Sequence, residues 1–429
     1  MRIGCGAALG LLLTTCGAPA SSSNQGAPLA TGHPVVSAAS VPADPTLQAI
    51  DQLVRTRFYS EAVLEKVQWN KLVATATQKL GAERSLARRS PVFEELLAAL
   101  RTSHTEYIPR SEPKYWELAS IFEEVFAEVP AQCPDKDKTL PPLPVTWQDI
   151  GVLWKHADGH WFIGGVFDEG PAQKAGLLLG DEVVAADGKP LSPVASFENR
   201  QGASVELTVR HARNGTPTKL TVVPRTSHPH DAFKDALRTS ARIIDASGVR
   251  IAYVHVWSWT GEAMQQELKA AITRLNEKAP AAYILDIRDG WGGAAPDFLE
   301  IFQKDVPILV SKNRAGQEFR IDSKIRVPAV LLVNGGSRSG KETIAYGVKK
   351  HGLAKLVGEP TAGAMLPGSP FCLPDGGLLY LASATNTVDG ESLEGRGVVP
   401  DVQVPFDVRY AAGRDPQVEA AIRTLVPSK

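Results

Sequence analysis

The chain has 429 residues, 43% hydrophobic and 22% charged, enough to bury cores in roughly two to four domains. Its formal net charge of −1 argues against a general nucleic-acid or membrane-surface role. After the first residues, no apolar run is long enough to span a bilayer.

Residues 1–15 hold one basic residue, Arg2, and an apolar run from Ala7 to Leu13, the pattern of a short signal peptide. The run ends at Leu13-Thr-Thr-Cys16, which resembles a bacterial lipobox and predicts a lipid on Cys16 as the chain's membrane contact. An ordinary secretory signal is the alternative. Residues 16–45 are rich in Ser, Ala, Pro and Gly and read as a disordered tether. An exported, envelope-anchored protein can form disulfides, but spacing alone leaves the pairing of Cys133 with Cys372 open.

Residues 46–140 are helical in pattern, with Leu53, Val63, Val67, Leu72, Phe93, Leu96, Leu97 and Leu100 at helical intervals. Ser90-Pro91 predicts an N-cap followed by Pro at the first helical position. Prolines 141 and 144 mark a boundary. Residues 145–225 are short strands and turns: Ile163-Gly-Gly-Val166, Gly170-Pro-Ala172, Gly180-Asp181-Glu-Val-Val and the alternating Val205–Arg210. This segment resembles a PDZ domain of the bacterial protease type. That implies an open sheet edge able to add a peptide strand and hold its C-terminal carboxylate on backbone N–H groups.

Residues 226–425 turn to an α/β pattern. Val249–Val256 alternates as a strand, 262–276 reads as a helix, and Ala281–Asp286 is a buried strand ending at Arg288-Asp-Gly290-Trp-Gly292-Gly293. Another apolar strand, Ala329–Val333, leads into Asn334-Gly-Gly-Ser-Arg-Ser339-Gly340 and a helix carrying Ile344 and Val348. A strand, a glycine turn and a helix can hold either a nucleophile or a phosphate at the helix N-terminus. Gly335-x-x-x-x-Gly340-Lys341 nearly spells a P-loop, but Glu342 stands where that motif needs a magnesium-binding hydroxyl.

Four stretches in order resemble the tail-specific, or C-terminal processing, peptidase family. They are Asp286-x-Arg288-x-Gly290-x-Gly292-Gly293, Ser339-Gly340-Lys341-Glu342, Val357-Gly-x-x-Thr361-x-Gly363 and Gly397-Val-Val-Pro-Asp401. Gly290 replaces the family's Asn. The Ser–Lys branch carries its Lys directly after the Thr-x-Gly run, where this chain has Ala364, so that dyad is excluded. Leu96–Thr105, with Ser103-His104, and Glu394 before the Gly-Val run are similar instead to the tricorn-like Ser–His–Glu branch.

The resemblance implies a multidomain α+β chain. It would hold an N-terminal helical domain, a PDZ-like β-rich domain and an α/β catalytic core of the ClpP/crotonase-like kind. It implies a serine endopeptidase that needs no metal or cofactor and acts on proteins or peptides. Ser339 is the nucleophile, His104 its base, Glu394 the carboxylate that orients the imidazole, and Ser103 a helper. Oxyanion donors come from Gly340, Gly292 and Gly293. The residue patterns keep rivals open. An inactive peptide-binding scaffold has the same motifs, and a P-loop nucleotide binder needs only the glycine turn. Ser339 alone fits an N-cap. His255 and Lys341 are rival bases, although a solvated helix lysine and a sheet histidine are the blander readings. Glu394 has Arg396 nearby as an ion-pair partner. His156 and His160 flank a turn without metal-ligand spacing.

Overall fold

A computed structural model describes residues 44–128, 133 and 143–426. The expected signal peptide, Cys16 and all but the last residues of the tether lie outside the described residues. The architecture is a mixed α/β fold with several sheets. No described helix is long and apolar enough to cross a membrane.

The central sheet has six strands in the order Arg242–Ala246, Val249–His255, Ala282–Asp286, Ala329–Val333, Lys355–Gly358 and Val402–Gln403. The first pair is antiparallel and the others parallel. Helices cover both faces, so the middle strands are buried along their whole length and read as unbroken apolar runs. Alternate residues serve opposite cores. Ala252, Val254, Leu285 and Leu331 pack with the helices Gly261–Asn276 and Gly340–Lys350. Ile251, Ile284, Val330 and Leu332 pack with Ala420 and Ala421 of the helix Pro416–Leu425. The C-terminal ends of the parallel strands, at His255, Asp286, Val333 and Gly358, then share one rim. That rim is where open α/β sheets place their chemistry.

A second sheet runs Val152–Ala157, His160–Val166, Glu182–Ala186, Val205–Arg210 and Thr218–Val222, around its own core of Ile150, Ile163, Phe197 and Leu207. It leans closely on the central sheet: a Cβ at Gly165 would fall 2.4 Å from the Trp257 ring.

The N-terminal helices do not close a core alone. Ile50, Val54, Phe93 and Leu97 pack with Leu373, Leu379 and Leu381 from far along the chain. The short strand Glu106–Ile108 joins Leu378–Ala382 and Gly368–Cys372 in a three-stranded antiparallel sheet. A disulfide joins Cys133 to Cys372. One helix differs from the sequence expectation: it spans Leu86–Ala98 with Pro91 inside and Ser85 at its N-cap. Pro91 lies early enough that its missing N–H forfeits a single helical bond, and Ser90 turns its Oγ back to the Leu86 carbonyl at 2.9 Å.

Candidate active site

The strand Ala329–Val333 leaves the sheet at its C-terminal rim, turns through residues 334–338 and re-enters order as the helix Gly340–Lys350. Ser339 stands between, with φ 56° and ψ −129°. That backbone is strained for an L-residue, by about 1–3 kcal/mol, and persists only where surroundings over-determine it. Here they do. The Ser339 N–H donates to the Ala364 carbonyl at 2.9 Å and to Glu342 Oε2 at 3.2 Å. The buried Glu342 carboxylate also accepts from Thr361 Oγ1 at 2.6 Å, Gly363 N at 2.7 Å and Ala364 N at 2.7 Å. Burial pushes the Glu342 carboxyl up, against these hydrogen bonds, which favour the charged form. One carboxylate therefore ties the serine turn to the Val357–Gly363 run.

Lys341 departs from the expectation of a solvated helix lysine. It is 0% exposed. Its Nζ donates to the Trp257 carbonyl at 3.1 Å and the Asp289 carbonyl at 2.6 Å. Burial brings its pKa down from 10.5 to about 7. With Lys341 turned inward and Glu342 engaged, neither side chain of the near-P-loop is free to meet a phosphate.

His104 is 5% exposed, where its place after a helix suggested exposure. The expected carboxylate–imidazole contact runs through Ser103 rather than directly. Ser103 Oγ lies 2.9 Å from Glu394 Oε2 and 3.0 Å from His104 Nδ1, and the Ser103 N–H donates to Glu394 Oε1 at 2.9 Å. A hydroxyl has one proton, and an ionised carboxylate can only accept. Ser103 therefore donates to Glu394 and accepts from His104 Nδ1–H. That fixes the tautomer and leaves the lone pair on Nε2, the form a general base needs.

Glu394 does not pair with Arg396. Its Oε2 accepts from Met365 N at 2.7 Å and Leu366 N at 3.2 Å, while Arg396 donates from Nε to the Ser392 carbonyl at 2.8 Å. Burial first, then the Arg338 guanidinium, lowers the His104 pKa from 6.5 to about 3. The base is therefore neutral well below the reference value expected from sequence. The His104 ring meets Tyr380 edge-on at 5.1 Å.

The two halves converge on one segment: Ser339 N holds Ala364, and Glu394 holds the next residue, Met365. Among the described residues no hydrogen bond joins His104 to Ser339; catalytic hydrogen bonds are often long without substrate. The paired glycines lie against the serine. A Cβ on Gly292 would sit 2.7 Å from Ser339 Cβ and 3.1 Å from Gly340 N. Among the described residues the N–H groups of Gly292, Gly293 and Gly340 have no acceptor. Gly290, at the position of the family's Asn, has φ 66°, and a Cβ there would fall 1.9 Å from the Trp257 carbonyl oxygen.

His255 is separate from this arrangement. Its Nε2 lies 3.1 Å from the Arg288 carbonyl, which can only accept, so that nitrogen carries a proton; the ring stacks on Trp257 at 3.5 Å. His160 Nδ1 lies 2.8 Å from Glu182, and His156 packs on Trp161. Among the described residues no group of three His, Cys, Asp or Glu could hold a metal. Sequence reasoning passed over three contributors: Arg338 beside the serine, Tyr380 against the base, and Glu117, which accepts from Trp291 Nε1 at 2.7 Å. Only Arg338 carried a signal, as the residue preceding the nucleophile.

A parallel sheet with a strained serine at its C-terminal rim has the build of a serine hydrolase. Residues 250–404 match peptidase family S41, and the chain belongs to that family. It is 27% identical over 265 residues to a carboxy-terminal-processing protease of Bartonella bacilliformis, covering 57% of this chain and 58% of that one. It is 26% identical over 274 residues to a carboxyl-terminal-processing protease of a Picosynechococcus species, covering 59% of this chain and 64% of that one. The match thus spans about three-fifths of each relative. The tricorn protease crystal structure shares the fold, with a TM-score of 0.51 at 19% identity, covering 88% of this chain and 36% of that one.

Proposed function

We propose that the chain is a serine endopeptidase acting on exported proteins or peptides. Ser339 Oγ attacks the scissile carbonyl as His104 Nε2 takes its proton. The imidazolium formed is stabilised through Ser103 by Glu394. The oxyanion is met by the N–H groups of Gly340, Gly292 and Gly293, donors typically worth about 3 kcal/mol each. His104 then returns the proton to the leaving amine, and water drawn on by the same base releases the acyl group. One observation carries the reading: the Glu394–Ser103–His104 relay and the Ser339 N–H are anchored on adjacent residues, Met365 and Ala364.

We read the sheet at residues 147–227 as PDZ-like and the central sheet as ClpP/crotonase-like. Val152–Ala157 is an edge strand of the former. It borders a cavity of about 800 Å³ that reaches from Leu153, Trp154 and Lys155 to the turn Asn334–Gly336. A peptide tail added to that edge would lead toward Ser339. Export and a lipid at Cys16 belong to the same proposal and rest on the leader sequence. Movement of Cys16→Ser from membrane to soluble fractions supports the lipid, and unchanged fractionation removes it.

The enzyme reading is tested by digesting denatured casein with the full chain and with Ser339→Ala. Cleavage by the parent and none by the variant is expected. No cleavage by the folded parent favours an inactive peptide-binding scaffold.

A further inference from the structure

We propose that Arg338 forms a specificity-determining subsite that holds a carboxylate of the substrate next to the scissile bond, an inference that rests on the peptidase reading of Ser339. Other basic side chains around the site are committed. Lys341 holds two backbone carbonyls, Lys114 pairs with Glu106, and Arg288 pairs with Asp286 and Asp415. Among the described residues, the Arg338 side chain has neither ion pair nor hydrogen bond. Its guanidinium lies over the Trp291 ring, 5.8 Å from the centroid. It lines a cavity of about 330 Å³ together with Lys114, Trp154 and Trp291.

The acidic groups near that cavity do not neutralise it. Glu117 accepts from Trp291, Asp289 accepts from Asn334 Nδ2 at 3.0 Å, and Glu106 is taken by Lys114. Glu112 lines the cavity without forming an ion pair with Arg338. An aromatic face orients a guanidinium but leaves its N–H edge open, and that edge matches a carboxylate's two oxygens. Because Arg338 immediately precedes the nucleophile, the carboxylate it holds must lie close to the bond cut. The same positive charge bears down on the His104 imidazolium. A carboxylate seated on Arg338 would relieve it and strengthen the base as substrate arrives.

A substrate carboxylate has two sources, an Asp or Glu side chain or the peptide's own C-terminus. Cleavage sites of the full chain on denatured casein, mapped by mass spectrometry, supply a parent peptide. Three versions of it are compared: Glu or Asp near the cut replaced by Gln or Asn, a C-terminal amide in place of the acid, and both changes together. The expected result is a kcat/KM at least roughly tenfold higher for the version carrying the carboxylate, as for one charge-assisted hydrogen bond. Which replacement removes the preference names the source. Arg338→Gln should bring the ratio close to one, and Arg338→Glu should reverse it toward a peptide with Lys at that position. A parent without carboxylate preference overturns the subsite, as does an Arg338→Gln protein that keeps the parental ratio. Should the parent neither cleave nor react with a fluorophosphonate at Ser339, the peptidase reading itself fails and the subsite falls with it.

Discussion

Ser103→Ala is the most informative single substitution, because it cuts the relay while sparing the fold. The hydroxyl lies 2.9 Å from Glu394 and 3.0 Å from His104 Nδ1, so alanine removes both contacts. The Ser103 N–H still reaches Glu394 Oε1 at 2.9 Å, and Glu394 still accepts from Met365 and Leu366. The loop therefore stays anchored. What is lost is the partner that fixes the Nδ1–H tautomer and passes the carboxylate's charge to the imidazolium. Hydrogen bonds to charged groups contribute about 1.5–3 kcal/mol, and each 1.36 kcal/mol is tenfold in rate. A fall in kcat of roughly ten- to several-hundred-fold follows, with KM little changed because Ser103 binds no substrate. The assay is steady-state cleavage of a casein-derived fluorogenic peptide, with thermal unfolding measured in parallel. A Ser103→Ala protein with parental kcat would refute the relay. A large loss of stability in place of the rate effect would make Ser103 a structural residue only.

His104→Ala should abolish turnover. Because the ring is buried against Tyr380, the substitution should also cost about 1–3 kcal/mol of stability, measurable by denaturant unfolding; near-parental turnover would move the base elsewhere. With the His104 pKa held near 3, the acid limb of kcat/KM should lie well below pH 6.5. The folded state binds fewer protons at this site than the unfolded state between about pH 3 and 6.5, so its stability contribution is present above that window and lost as pH falls through it. Arg338→Gln removes a positive charge from beside the imidazole and should shift the acid limb upward; a downward or absent shift contradicts the placement of that charge. Gly292→Ala puts a Cβ 2.7 Å from Ser339 Cβ and should slow acylation by roughly 10²–10³-fold, the usual loss when an oxyanion donor is removed; rapid burst kinetics in the variant would exclude Gly292 from the site.

The central strands were legible because burial on both faces leaves apolar runs such as Ala329–Val333, and the serine turn because a glycine cluster interrupts that pattern. Glu106–Ile108 was not. Three residues carry no period, and their partner strand lies some 270 residues further on, at Leu378–Tyr380. Lys341 reads as solvated because its acceptors, the carbonyls of Trp257 and Asp289, come from two distant loops. The site residues were found by motif, but their connection was not. The intervening hydroxyl of Ser103, the clamp of Glu342 on Thr361, and the burial that lowers the His104 pKa all depend on contacts between segments far apart in the chain.

The rate of fluorophosphonate labelling, mapped by peptide mass spectrometry, tests the central claim most directly, since it reads nucleophile activation without requiring a known substrate. The account predicts a single adduct on Ser339, slowed by Ser103→Ala, lost in His104→Ala and unaffected by Cys16→Ser. Labelling on another residue, or equal labelling of Ser339 in the parent and in His104→Ala, would contradict it.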